Sequence, residues 1–122
     1  MSIKLYTDRI PENILQELKN LNIVANKDKV CALYVNTFLG KIRDAAVLTP
    51  DKLIHWQTKI SNNKVTVSFK KVKDITYEEK GLYGTIVYHL SAGKNFTLKL
   101  NRQDSAKFMD LSGKLWRENK DQ

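Results

Sequence analysis

The sequence predicts a mainly β protein with some helix: a seven-stranded antiparallel barrel capped by a C-terminal helix, with a short N-terminal helix in front. Three observations support this fold class. Apolar and polar residues alternate through much of residues 30–100, which is the period of a half-buried strand. Short turn sequences separate these stretches, as antiparallel hairpins require. After residue 102 the pattern changes to the helical period, so we expect one helix to lie over an open end of a curled sheet.

The N-terminal helix is predicted from a short periodic segment. Pro11 suits its first turn, and Ile14, Leu18 and Leu21 recur at helical spacing. We expect residues 1–27 to form a helical appendage to the rest of the chain.

Seven strands are predicted after this helix, and the first of them is rich in β-branched and aromatic residues. Pro50 and Asp51 suit a tight turn between two of them. Alternation is clearest where Val65, Val67 and Phe69 point to one face of the sheet. The predicted strands are residues 30–39, 43–49, 52–57, 65–69, 73–79, 85–90 and 95–100.

The C-terminal helix is predicted over residues 103–119. Asn101 suits the N-cap, and Asp104 favours the positive end of the helix dipole. The helix carries one apolar stripe, made of Phe108, Leu111 and Leu115. We expect this stripe to be buried against the sheet.

Length and composition limit the class of protein. A chain of 122 residues supports one core, so residues 1–122 are predicted to be a single domain, with the barrel and its helix over 28–119. No apolar run approaches the roughly 20 residues that cross a bilayer. The first residues lack the pattern of a signal peptide, and the lone Cys31 has no partner for an internal disulfide. The expected location is the cytoplasm, with a peripheral position at the membrane as an alternative.

The formal net charge of +8 is the main compositional indication of a partner. A field of that sign attracts nucleic acid, anionic lipid headgroups or acidic protein surfaces. The alternative is that scattered lysines only keep the protein soluble.

The order of elements, seven short antiparallel strands and then an amphipathic helix, is that of the pleckstrin-homology (PH) superfold. Over about residues 28–116 the sequence resembles bacterial PH-like domains in particular. Four segments carry the resemblance in the same order: Ala46-Val47-Leu48-Thr49-Pro50-Asp51-Lys52-Leu53-Ile54, Val72-Lys73-Asp74-Ile75, Lys80-Gly81-Leu82-Tyr83-Gly84 and Gly93-Lys94-Asn95-Phe96. The extra N-terminal helix departs from the usual pattern.

The resemblance implies a non-catalytic interaction domain that mediates protein–protein association or self-assembly. Bacterial PH-like domains similar to this one lack the chemistry of a lipid pocket and form oligomers through sheet edges. The alternative is peripheral binding to anionic lipid headgroups through a basic strand-and-loop surface.

Five basic residues are the candidates for anion or lipid headgroup contact. Lys29 followed by Lys41-Ile42-Arg43 loosely matches the basic pattern of phosphoinositide-binding PH domains, and Lys59 and Lys64 begin a second basic cluster. The alternative is a solvated basic loop, with strand lysines that discourage pairing at sheet edges. Tyr83, in the loop predicted between Gly81 and Gly84, is predicted to be an exposed interaction residue.

Catalytic, metal and cofactor sites are not predicted. His55 and His89 lie on different predicted strands without further ligands nearby, and the adjacent Glu78 and Glu79 point to opposite faces of a strand. Nucleic acid is a less favoured partner, because no stacking aromatic residues are interleaved with the basic ones.

Overall fold

The computed structural model describes residues 2–58 and 63–120, and the chain divides into two compact units, residues 1–66 and 67–122. The first unit contains strand β1 (Ser2–Tyr6), helix α1 (Glu12–Asn20) and strands β2 (Ala32–Phe38), β3 (Lys41–Leu48) and β4 (Lys52–Gln57). Strand β5 (Lys64–Ser68) begins in this unit, and the boundary between the units falls inside it. The sheet has the order β1-β2-β3-β4-β5, and β1 to β4 pair antiparallel.

Helix α1 covers one face of this sheet. Leu18 of the helix and Ile23 and Val24 just after it are buried against apolar residues of β2, β3 and β4, including Leu33 and Trp56. The Glu17 carboxylate also accepts a hydrogen bond of 2.9 Å from the Ile42 backbone N–H on β3. The segment 1–27, predicted as a helical appendage, therefore contributes to the core of its unit.

The second unit contains strands β6 (Val72–Lys80), β7 (Tyr83–Leu90) and β8 (Asn95–Asn101), followed by helix α2 (Arg102–Lys120). A short 3-10 turn, Phe69–Lys71, precedes β6. The three strands form an antiparallel sheet in the order β6-β7-β8. Helix α2 packs against all three strands and against the 3-10 turn.

The prediction of a closed seven-stranded barrel was wrong in strand number and closure. Within the described residues, eight strands form two sheets, of five and three strands. The missed strand is β1, which is short and lies at the sheet edge with Ile3 46% exposed, so its alternation gave little signal. The strand predicted over 65–69 ends at Ser68 because Phe69 enters the 3-10 turn that separates β5 from β6. The prediction of a single domain over 1–122 stays a prediction.

The buried face of α2 differs from the predicted apolar stripe. Phe108 is fully buried as expected, but Leu111 and Leu115 are only partly buried. The other fully buried helix positions include Ser105 and Ser112. The predicted burial of the stripe was wrong for Leu111 and Leu115, because the helix is docked by hydrogen bonds as well as by apolar contact.

Hydrogen bonds of tyrosine and tryptophan side chains join α2 to its sheet. The Tyr77 hydroxyl lies 2.7 Å from Ser105 Oγ, and the Tyr88 hydroxyl lies 2.8 Å from Ser112 Oγ. The indole N–H of Trp116 donates to the backbone carbonyl of Val72 at 2.8 Å. Buried polar groups need such partners, so these bonds fix the rotation of the helix on the sheet.

Neither helix in the described part of the chain combines the length and apolar character that a membrane span requires.

Candidate functional site

The tip of the β2–β3 hairpin, residues 38–41, exposes apolar side chains. Phe38 pairs with Lys41, so Leu39 and Gly40 form a two-residue turn. Both have positive φ, 53° and 77°, which is the conformation of a type I′ turn. Leu39 is 86% exposed and Phe38 is 40% exposed. We call residues 38–41 the β2–β3 tip.

Leu39 is an unfavourable choice for the stability of this turn. Left-handed backbone suits Gly, Asn or Asp, and a leucine there costs on the order of 1 kcal/mol. Its side chain recovers little of that by packing, because it is 86% exposed. A strained residue that also exposes apolar surface points to a role outside the stability of the fold.

A β-bulge places Arg43 beside this tip. Asn36 pairs with Asp44 and Thr37 pairs with Ile42, which leaves Arg43 as the extra residue of β3. The Arg43 guanidinium carbon lies 5.5 Å from the centre of the Phe38 ring, within the range of a cation–π contact. Lys41 and Arg43 are both exposed, so two cations flank the apolar tip.

The other predicted basic residues lie elsewhere. Lys29 precedes the start of β2, whereas Lys41 and Arg43 follow its end; β2 has seven residues. At about 3.3 Å per residue, that strand separates them by on the order of 20 Å. Lys64 donates a 3.0 Å hydrogen bond to the carbonyl of Asn22. Lys59 lies outside the described residues. Of the four predicted contacts that the structure describes, Lys41 and Arg43 are brought together at the β2–β3 tip, and Lys29 and Lys64 are not.

The surroundings of Lys29 carry both signs of charge. Lys29 lines a cavity of about 320 Å³ together with Asp28, Asp51 and Lys52. Asp28 and Lys52 form a salt bridge of 3.0 Å. The hydrogen bond from the Ala25 N–H, assisted by Lys52, holds the pKa of Asp28 below its ordinary value. Paired charges make this cavity a poor anion site compared with an unpaired basic surface.

Tyr83 is exposed but belongs to a strand. It is the first residue of β7, pairs with Lys80, and is 46% exposed. The turn itself contains only Gly81 and Leu82, so the four-residue loop predicted between Gly81 and Gly84 was wrong. The Lys99 ammonium lies 4.4 Å from the centre of the Tyr83 ring.

The histidines lie on β4 and β7 of different units. Burial lowers the pKa of His55, and the charge of Asp44 partly opposes that shift. His89 Nε2 lies 2.9 Å from the Thr76 hydroxyl. Within residues 2–58 and 63–120, no three His, Cys, Asp or Glu side chains cluster as metal ligands would.

Among known proteins, solved structures provide the similarity to this chain. No protein-family model matches the sequence, and neither does any curated protein. The structure is similar to the crystal structure of a DUF1696 family protein with a pleckstrin-homology domain from Shewanella loihica PV-4. The TM-score is 0.62 at 16% sequence identity, over 89% of this chain and 99% of that one. The chain therefore has a PH-like fold.

Sequence reasoning missed the apolar part of the tip. The strand predicted over residues 30–39 includes Phe38 and Leu39, so the sequence pattern does not place either residue in a turn. The available signal was that a two-residue turn ending at Gly40 places Leu39 at its most exposed position.

Proposed function

We propose that this chain is a non-catalytic PH-like interaction domain that binds the surface of anionic membranes through the β2–β3 tip. The observation that carries the proposal is the exposure of Phe38 and Leu39 beside Lys41 and Arg43. An interfacial contact needs apolar side chains that enter the headgroup region and cations that stay among the phosphates. The β2–β3 tip supplies both within one hairpin.

The expected affinity is weak and reversible. Burial of Leu39 and part of Phe38 contributes about 3 kcal/mol, on the scale of 1.5 to 3 kcal/mol for a whole side chain. Lys41 and Arg43 add about 1 kcal/mol each near an anionic leaflet. A total of about 5 kcal/mol corresponds to a Kd between mM and μM. The net charge of +8 raises the rate of encounter with the membrane.

Vesicle co-sedimentation tests the proposal. Vesicles with about one-third phosphatidylserine should retain the protein at physiological ionic strength, and pure phosphatidylcholine vesicles should not. Binding should fall strongly at about 0.5 M salt, where charges are screened within a few Å. Equal binding to both kinds of vesicle would contradict the electrostatic part of the proposal.

The substitution Leu39→Asn separates function from stability. Asparagine accepts the left-handed turn, so the variant should be more stable by about 0.5 to 1 kcal/mol. It removes the apolar side chain, so vesicle binding should fall several-fold. Lys107→Gln, an exposed residue on α2, is the control and should retain most binding. Unchanged vesicle binding by Leu39→Asn would contradict the proposed membrane contact of the β2–β3 tip.

Self-association is a second proposal, favoured by the edge position of β1. In the described part of the chain, β1 pairs with β2 on one side only, and Ile3 is 46% exposed. Such an edge accepts a further strand. Light scattering should then show a mass that rises with concentration, and Ile3→Lys should reduce that rise. A concentration-independent monomer would rule this proposal out.

A further inference from the structure

A second feature of the chain, independent of the β2–β3 tip, is a cavity of about 520 Å³ in the unit of residues 67–122. It lies between the 3-10 turn, the start of β6 and the last turns of α2. Its apolar walls are Phe69, Val72 and Trp116, and three lysines line it as well: Lys70, Lys73 and Lys120. We call it the Trp116 cavity.

The apolar walls are fixed in place. Phe69 and Val72 are almost fully buried, at 1% and 6% exposure. The Trp116 indole is partly exposed, and its N–H is held by the Val72 carbonyl at 2.8 Å. The ring is therefore oriented before any ligand arrives, which lowers the entropic cost of binding against it.

The charge of the Trp116 cavity has one sign. Lys70, Lys73 and Lys120 are all exposed, and none of the described residues that line the cavity is acidic. The Lys120 ammonium lies 5.1 Å from the centre of the indole ring. The C-terminal end of a helix contributes about half a negative charge, which is much less than three ammonium groups.

We propose that the Trp116 cavity binds a phosphate monoester that carries a flat ring. The phosphate, with close to two negative charges at neutral pH, lies among Lys70, Lys73 and Lys120, and the ring lies against Trp116. The charge of a phosphate monoester balances three lysine ammonium groups better than the single charge of a monocarboxylate does. The volume of about 520 Å³ lies within the range of small-molecule sites, about 300 to 1,000 Å³.

Calorimetric titration of the full chain tests both parts of this ligand. The probes are adenosine 5′-monophosphate, adenosine and inorganic phosphate. Adenosine 5′-monophosphate should bind at one site and at least tenfold more tightly than either of the other two. Equal affinity for adenosine would overturn the role of the lysines, and equal affinity for inorganic phosphate would overturn the role of the indole.

Two double variants of equal net charge locate the site. Lys70→Gln with Lys73→Gln should weaken binding of adenosine 5′-monophosphate at least tenfold. Lys107→Gln with Lys114→Gln removes two exposed lysines of α2 that do not line the cavity, and it should change binding less than twofold. Equal losses in the two variants would show long-range attraction only and would overturn the site.

A lipid headgroup carries the same phosphate monoester chemistry, so vesicles containing phosphatidic acid form the second arm. If these vesicles bind and adenosine 5′-monophosphate does not, the ring part of the proposal is overturned, and loss of vesicle binding in the Lys70→Gln, Lys73→Gln variant supports the phosphate part with a lipid source. Absence of binding in both arms overturns the proposal. Leu39→Asn leaves the Trp116 cavity unchanged, so failure of the β2–β3 tip and failure of this cavity are distinguishable.

Discussion

Gly84 shows how one absent side chain allows α2 to approach its sheet. This buried residue of β7 lies directly beneath Ser105 of the helix. A Cβ at position 84 would overlap the Ser105 side chain and come within 2.9 Å of the Tyr77 hydroxyl. Ser105 Oγ also lies 3.2 Å from the Arg102 carbonyl, so its single proton points there and Tyr77 donates to Ser105. Position 84 requires glycine because the helix approaches the strand closely there, and not because the backbone needs a special conformation.

Two glycine substitutions should change stability in opposite directions. Gly84→Ala should destabilise the protein by about 1 to 3 kcal/mol, as overpacking does. Gly113→Ala should stabilise it by up to about 1 kcal/mol, because alanine is the better helix former. The nearest atom to a Cβ there is 3.1 Å away, at the end of the flexible Arg117 side chain. Urea unfolding midpoints measure both changes, and a shift of the same sign in the two variants would contradict this account of the packing.

His55 should make stability depend on pH. Burial lowers its pKa in the folded protein below the ordinary value of 6.5. The unfolded chain therefore takes up the proton first as pH falls below about 6.5, and folding loses stability there. We expect a lower urea midpoint at pH 5.5 than at pH 7.5. His55→Gln should flatten that dependence, and His89→Gln should retain it. A slope that survives His55→Gln would assign the effect to other groups.

Helix α2 is the element whose energetics differ most from the sequence pattern. Phe108 is 0% exposed, whereas Leu111 is only partly buried and Lys114 is exposed. Phe108→Ala should therefore cost about 3 to 5 kcal/mol. Leu111→Ala should cost clearly less than that, and Lys114→Ala about 0.5 kcal/mol or less. A larger fall in the denaturant midpoint for Leu111→Ala than for Phe108→Ala would instead support burial of the predicted apolar stripe.

The elements were predictable where local pattern decides them. Strand β4 was predicted with its exact bounds, and α2 began and ended within one residue of the prediction, because alternation and capping act between near neighbours. The Asn101 side chain does cap the helix, through a 3.1 Å bond from the Asp104 N–H.

Features set by distant pairing were not predictable. The bulge at Arg43 arises from the register of β2 on β3, which alternation within one strand does not reveal. Trp116 and Lys73 line one cavity although they are far apart in sequence, so the aromatic residue beside the basic cluster was overlooked. The Tyr88–Ser112 hydrogen bond was not predictable because its two residues are distant in sequence. Serine is also mostly an exposed residue, so its position in a helix did not indicate burial.

At the scale of the whole molecule, the charge of +8 is organised into separate environments. Lys41 and Arg43 flank an apolar tip, and Lys52 is neutralised by Asp28. Lys70 and Lys73 line a cavity whose described lining contains no acidic residue. The net charge therefore predicts that the protein attracts anions, whereas the residues next to each basic side chain determine which surface is suited to hold an anion.

The units of residues 1–66 and 67–122 are expected to unfold cooperatively. A core of fewer than about 70 residues rarely supplies more than 3 to 5 kcal/mol. Each unit by itself would therefore be marginal, and the predicted single domain requires them to unfold together. Trp56 and Trp116 report on different units, so each can be followed alone in the variant that lacks the other. In both Trp56→Phe and Trp116→Phe, urea curves from fluorescence and from far-ultraviolet circular dichroism should coincide. A fluorescence curve that separates from the circular dichroism curve in either variant would show two domains.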